Sequence, residues 1–132
     1  MKVVAIWIIL RIVPALIMWQ TLFYKFTGAP ESIYIFSTIG LEPWGRYGIG
    51  IGELIAGVLL LIPALSWLGA LIGAGIMAGA LFFHLVILGI EVQGDDGLLF
   101  ILALIVFTTC MANLYVDRNR IISVVQLFKN KK

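Results

Sequence analysis

Three ionisable side chains stand inside long apolar stretches of this sequence, namely Arg11, Glu53 and His84. Ionisable groups are costly inside a membrane, so they usually face the interior of a helix bundle and often mark functional sites. Glu53 can accept hydrogen bonds from a ligand, and His84 can donate one to a quinone or another carbonyl. The three residues are therefore candidates to line a buried polar pocket, with Glu53 and His84 presented to a ligand.

The same side chains also have a structural interpretation. An Arg11–Glu53 ion pair would hold the first two spans together, and we favour that arrangement. His84 would then bond Glu53 or a hydroxyl of the fourth span. One histidine and one cysteine, Cys110, cannot supply the three or four ligands of a zinc site. No catalytic constellation can be assembled, so we expect no catalytic residue, no metal and no intrinsic cofactor.

The composition explains why buried charges matter here. Of 132 residues, 62% are hydrophobic and only 12% are charged, against about 25% in a typical soluble domain. This balance excludes a soluble globular protein, a nucleic-acid module and a disordered tail. A net charge of +2 is also too mild to indicate nucleic acid as a partner. The chain is predicted to be a small integral membrane protein.

Four apolar stretches reach the length of about 20 residues that a membrane-spanning helix needs. They cover about 3–24, 47–65, 67–90 and 98–116, which predicts an all-α four-helix bundle forming a single domain over 1–132. A short interfacial helix is expected between the first two spans, because Pro30 suits a helix start and Gly40 a helix end. The segment 117–132 is amphipathic and is predicted to lie on anionic lipid, or else to dock on a partner.

Small residues recur at helical spacing in the second and third spans. Such residues let helix backbones approach closely in lipid, so we interpret them as packing positions. They are Gly48, Gly52, Ala56, Gly69, Gly73, Gly75 and Gly79. The connection between these spans is very short, which makes them antiparallel neighbours.

Lysine and arginine are unevenly distributed across the predicted membrane. One side carries six, namely Lys2, Arg118, Arg120, Lys129, Lys131 and Lys132, and the other carries two, Lys25 and Arg46. Because basic residues concentrate on the cytoplasmic side, both termini are expected to be cytoplasmic.

Several short motifs, ordered along the chain, resemble the DoxX-like family of small bacterial membrane proteins. They are Leu10-Arg11-Ile12, the stretch from Phe23 to Gly28, the loop phrase Ile39 to Trp44, the stretch from Gly52 to Leu61, the glycine-rich span ending at His84, and Asp96 to Phe100. The resemblance implies a four-helix bundle in the bacterial inner membrane. It also marks Arg11, Lys25, Gly28, Glu53, Gly57 and His84 as motif positions.

The resemblance implies a function only broadly. Members of the family resemble subunits of a terminal quinol oxidase and of a thiosulfate:quinone oxidoreductase. We therefore favour a non-catalytic or accessory subunit of a quinone-linked redox assembly, with quinone touching the outer-half pocket. The alternatives are a binding or transport protein for a small lipophilic molecule, and a structural partner in a larger envelope complex. The expected partners are the lipid bilayer and a redox subunit or a second copy of the chain.

Overall fold

A computed structural model describes residues 2–131, and within them every regular element is helical. The helices are α1 (Lys2–Thr27), α2 (Pro30–Thr38), α3 (Trp44–Leu61), α4 (Ser66–Phe83), α5 (Leu98–Val116) and α6 (Arg118–Asn130). A short 3₁₀ turn, Pro63–Leu65, precedes α4, and a π-helical turn, His84–Leu88, continues it.

Four segments are long and apolar enough to cross a membrane: α1, α3, α4 with its flanking turns, and α5. In the bundle, α1 and α4 each pack against both α3 and α5. The predicted all-α membrane bundle, with a short helix between the first two spans, is confirmed.

The second span ends earlier than its apolar pattern suggests. The pattern predicts a span to about residue 65, whereas α3 ends at Leu61. Ile62 has an extended conformation (ψ 112°), because Pro63 disfavours the helical conformation in the residue before it. The chain then turns directly into α4, so α3 and α4 are antiparallel neighbours.

Three of the glycines permit close packing between helices. A Cβ on Gly69 would lie 2.6 Å from the backbone of Ala56 and of Leu60, so α3 and α4 touch there through their main chains. A Cβ on Gly73 would lie 3.0 Å from the Cys110 sulfur, and one on Gly57 would collide with the Trp19 indole. The packing interpretation therefore holds at Gly69 and Gly73, and Gly57 is a further close contact that it did not include.

The packing interpretation is wrong at Gly48, Gly75 and Gly79, where an added Cβ would meet nothing within 4 Å. Gly75 and Gly79 instead line a cavity, and they lie further along α4 than Gly69, where α4 touches α3. Spacing alone cannot separate a glycine that admits a neighbouring helix from one that leaves a space.

Polar contacts attach α6 to the end of the bundle that carries the N-terminus. The Ser66 hydroxyl donates a 2.7 Å hydrogen bond to the Asp117 carboxylate, and both residues are buried. The Arg120 guanidinium donates to the Pro63 carbonyl oxygen. Most apolar residues of α6, among them Val125 and Phe128, remain exposed.

Candidate functional site

The bundle encloses a cavity of about 470 Å³ at the end opposite α6. Its wall comes from the second half of α1, the middle of α3, the end of α4 and the start of α5. Helix α2 and the loop 89–97 cover the cavity. Most of the lining is apolar, including Ile17, Met18, Phe36, Ile76, Met77, Phe83, Leu99, Leu102 and Val106. Exposed residues such as Gly75 and Leu98 also line it, so the cavity opens onto the molecular surface.

An ion pair between α1 and α3 forms the polar part of this wall. Lys25 Nζ lies 2.9 Å from Glu53 Oε2, and the two side chains are only 14% and 4% exposed. Lys25 Nζ also donates a 3.1 Å hydrogen bond to Thr21 Oγ1, which in turn donates to the Met18 carbonyl oxygen. Glu53 is buried, and Lys25 is the cation that balances its charge.

The end of α1 places Lys25 at this position. Gly28 follows the helix with φ +69°, a conformation that glycine adopts at no steric cost, and the Ala29 N–H bonds the Tyr24 carbonyl at 3.0 Å. This is the Schellman pattern that ends many helices. Pro30 then starts α2 immediately, which turns the chain across the mouth of the cavity.

Arg46 fixes the first turn of α3 against the end of α1. Its guanidinium donates to both Glu42 oxygens, at 2.9 and 3.0 Å, and to the Lys25 carbonyl oxygen. A cation at a helix C-terminus is favourable because the last carbonyls carry partial negative charge. Four residues of α3 at helical spacing, Arg46, Gly50, Glu53 and Gly57, thus face α1.

His84 supplies a second polar group from α4. The side chain is buried, lines the cavity and stands at the start of the π-helical turn, a feature often found at functional sites. Its Nδ1 lies 2.9 Å from the Gly89 carbonyl oxygen, and its ring meets the Phe100 ring edge-on, with centroids 5.6 Å apart. The backbone and an aromatic ring therefore fix the orientation of the imidazole.

Asp95 organises the loop that closes this end of the bundle. Its carboxylate accepts hydrogen bonds from the backbone N–H groups of Val92, Gly97 and Leu99, at 2.8–3.1 Å. Partial burial on its own would raise the pKa of Asp95, but the three N–H donors, together with the nearby imidazole of His84, outweigh it and hold the pKa below its usual value. The bond to Leu99 also satisfies a free N–H in the first turn of α5.

The favoured Arg11–Glu53 ion pair is wrong, because Glu53 pairs with Lys25. Arg11 does not line the cavity. Its guanidinium lies 4.5 Å from the centre of the Trp7 ring, in a groove shared with Leu61 near the other end of α1. The structure thus brings Glu53 and His84 to one cavity and leaves Arg11 outside it.

Sequence reasoning named Lys25 only as a motif position and gave no role to Arg46 or Asp95 in the site. A signal existed for each of them. Lys25 and Thr21 are four residues apart on one helix face, Glu42 and Arg46 have the i, i+4 spacing of an ion pair, and Asp95 precedes a helix start.

Fold and site together define a class: a multi-pass membrane protein whose four spans enclose an apolar cavity with a buried ion pair in its wall. Between residues 2 and 131, no three or more His, Cys, Asp and Glu side chains are grouped to hold a metal ion.

The family model described as DoxX matches residues 6–85, and the chain belongs to the DoxX family. Comparison with curated proteins and with solved structures finds no match. The matched range contains both halves of the Lys25–Glu53 pair and His84.

Proposed function

We propose that this protein binds a small lipophilic molecule with a polar head group in the cavity between α1, α3, α4 and α5. The observation that carries the proposal is the buried Lys25–Glu53 pair, set in the wall of an otherwise largely apolar space of about 470 Å³. Ligand sites are mostly apolar clefts of about 300–1,000 Å³ with a few well-placed polar groups. A small amphipathic molecule matches this combination of volume and chemistry.

The wall groups have separate tasks in this proposal. The Lys25 ammonium can donate a hydrogen bond to the head group, and the Glu53 carboxylate can accept one. Apolar residues such as Ile76 and Leu102 would surround the rest of the molecule. Because the cavity opens onto the surface, a lipophilic ligand can enter from the bilayer without crossing water.

A quinone or quinol is one ligand that these residues fit. Its carbonyl or hydroxyl oxygens match the Lys25 donor and the Glu53 acceptor. When bound, such a group supplies two-electron redox chemistry; the side chains of this chain would hold and orient it. An accessory role in a quinone-linked redox assembly is the form of this function that the family favours. Co-purification of a redox-active subunit in mild detergent would support that setting.

The experiment fills the cavity and measures binding of one probe, decylubiquinol, kept in its reduced form. Gly79→Leu places a side chain into the cavity without a clash at Cβ, and Gly48→Leu is the matched control, with equal space but outside the cavity. Stabilisation by a bound ligand grows with its concentration, by about 2.7 kcal/mol at 100 times Kd.

The thermal unfolding midpoint should therefore rise with decylubiquinol in the wild-type protein and in Gly48→Leu, but not in Gly79→Leu. An equal rise in Gly79→Leu would contradict binding in this cavity, and no rise in the wild-type protein would contradict this class of ligand.

A further inference from the structure

We propose that His84 accepts a hydrogen bond from a hydroxyl group of the ligand, so that the cavity selects a phenol, quinol or alcohol over the corresponding ether or carbonyl compound. The proposal rests on the proposed function, since it concerns the ligand of the same cavity. It reverses the expectation from the sequence, in which His84 donates to a carbonyl.

The reversal follows from the partner of Nδ1. The Gly89 carbonyl oxygen, 2.9 Å from Nδ1, can only accept a hydrogen bond, so Nδ1 must carry the ring hydrogen. In the neutral imidazole, Nε2 then has a lone pair and no hydrogen. No residue in the described range bonds Nε2, and His84 lines the cavity. The group that His84 offers to a ligand is therefore an acceptor.

The π-helical turn maintains this tautomer. Because Gly89 follows the turn with φ +80°, the chain bends back and its carbonyl oxygen comes within hydrogen-bond distance of the ring five residues earlier. The Phe100 ring, edge-on to the imidazole, limits rotation of the ring. If the hydrogen moved from Nδ1 to Nε2, the Gly89 oxygen would face the lone pair of Nδ1, which is unfavourable.

The second acceptor in the wall points to the same ligand chemistry. Glu53 Oε2 is buried and lies 2.9 Å from Lys25 Nζ, and a carboxylate has lone pairs for more than one donor. Lys25, the donor in this part of the wall, already donates to Thr21 and contacts Glu53. Glu53 is thus a second acceptor in the wall, to which a ligand hydroxyl can donate.

A matched pair of probes tests the proposal without any redox chemistry. 4-Nonylphenol and 4-nonylanisole share ring and chain, but only the phenol has an O–H to donate. A hydrogen bond in a buried site corresponds to about a tenfold difference in affinity. We expect the phenol to bind the wild-type protein in lipid nanodiscs about tenfold more tightly than the anisole.

Two variants assign that preference to His84. In His84→Phe the acceptor is lost while an aromatic ring remains, so phenol affinity should fall to the anisole value while anisole affinity stays unchanged. His84→Gln keeps an acceptor oxygen and should retain part of the preference. Unchanged anisole binding shows that the cavity is intact in each variant.

Three other outcomes of the binding measurements would each overturn a different part of the proposal. Equal binding of the two probes to the wild-type protein would overturn the hydroxyl preference and leave the proposed function standing. A preference that persists in His84→Phe would overturn the role of His84. Binding of neither probe to the wild-type protein would overturn both this inference and the proposed function.

Discussion

At the scale of single residues, the account depends on the Lys25–Glu53 ion pair. Removing one member of a buried pair leaves an unpaired charge and typically costs about 3–5 kcal/mol. Lys25→Met and Glu53→Gln should therefore each lower the free energy of unfolding, and the double variant should regain part of the loss.

Chemical denaturation in detergent measures the free energy of unfolding of the wild-type protein, the two single variants and the double variant. Arg11→Leu serves as the control, because Arg11 has no acidic partner in the described structure and should not couple to Glu53. Losses that simply add, or coupling between Arg11 and Glu53, would contradict the pairing.

The wrong partner for Glu53 has a physical explanation in side-chain direction. Arg46 bonds the carbonyl of Lys25, so the end of α1 lies beside the start of α3. Side chains of a helix tilt toward its N-terminus. Lys25 therefore reaches back along α1 past Thr21 to Glu53, whereas Arg11 reaches toward Trp7 and away from Glu53. The sequence identifies buried charges, but contacts between loop and helix ends determine which of them meet.

At the scale of helices, two glycines on α4 should respond oppositely to the same change. Gly69→Ala puts a methyl group against the backbone of α3 and should destabilise the protein by about 1–3 kcal/mol. Gly75→Ala meets open space and should be neutral or stabilising by up to about 1 kcal/mol, because alanine favours helix. Thermal unfolding of both variants measures this difference. Equal losses would show that α3 and α4 do not touch at Gly69.

The loop between α4 and α5 should show a pH-dependent contribution to stability. The pKa of Asp95 is lowered in the folded protein, so its carboxylate stabilises the fold above the pKa of the unfolded chain. That contribution disappears as the pH falls through the lower, folded-state pKa. The unfolding midpoint of Asp95→Asn should therefore lie below that of the wild type near pH 7 and approach it in acid. A constant difference at all pH values would contradict the role of the carboxylate.

The helices themselves follow largely from composition and local signals: long apolar runs, Pro30 at a helix start and Pro63 after α3. The cavity does not. Gly75 and Gly79 have the same spacing as glycines that pack, and only the three-dimensional placement of α2 and α5 leaves space beside them. The acceptor character of His84 also requires a contact, from Gly89, that no sequence pattern indicates.

At the scale of the whole molecule, the distribution of basic residues predicts that the cavity faces outward and α6 the cytoplasm. A cysteine at exposed Gln93, beside the cavity, should react in intact cells with an impermeant thiol reagent. A cysteine at exposed Ser123 on α6 should react only after the cells are opened. The native Cys110 is fully buried and should give little background. The reverse pattern would invert the orientation.

The central claim, that a lipophilic ligand occupies the cavity, is tested most directly by photolabelling in liposomes. A diazirine derivative of 4-nonylphenol is activated by light, and labelled peptides are identified by mass spectrometry. The account predicts adducts on cavity residues of α1, α4 and α5, such as Ile17, Ile76 and Leu102, which excess unlabelled 4-nonylphenol suppresses. Adducts spread over the exposed faces of the bundle, and unchanged by excess unlabelled compound, would contradict it.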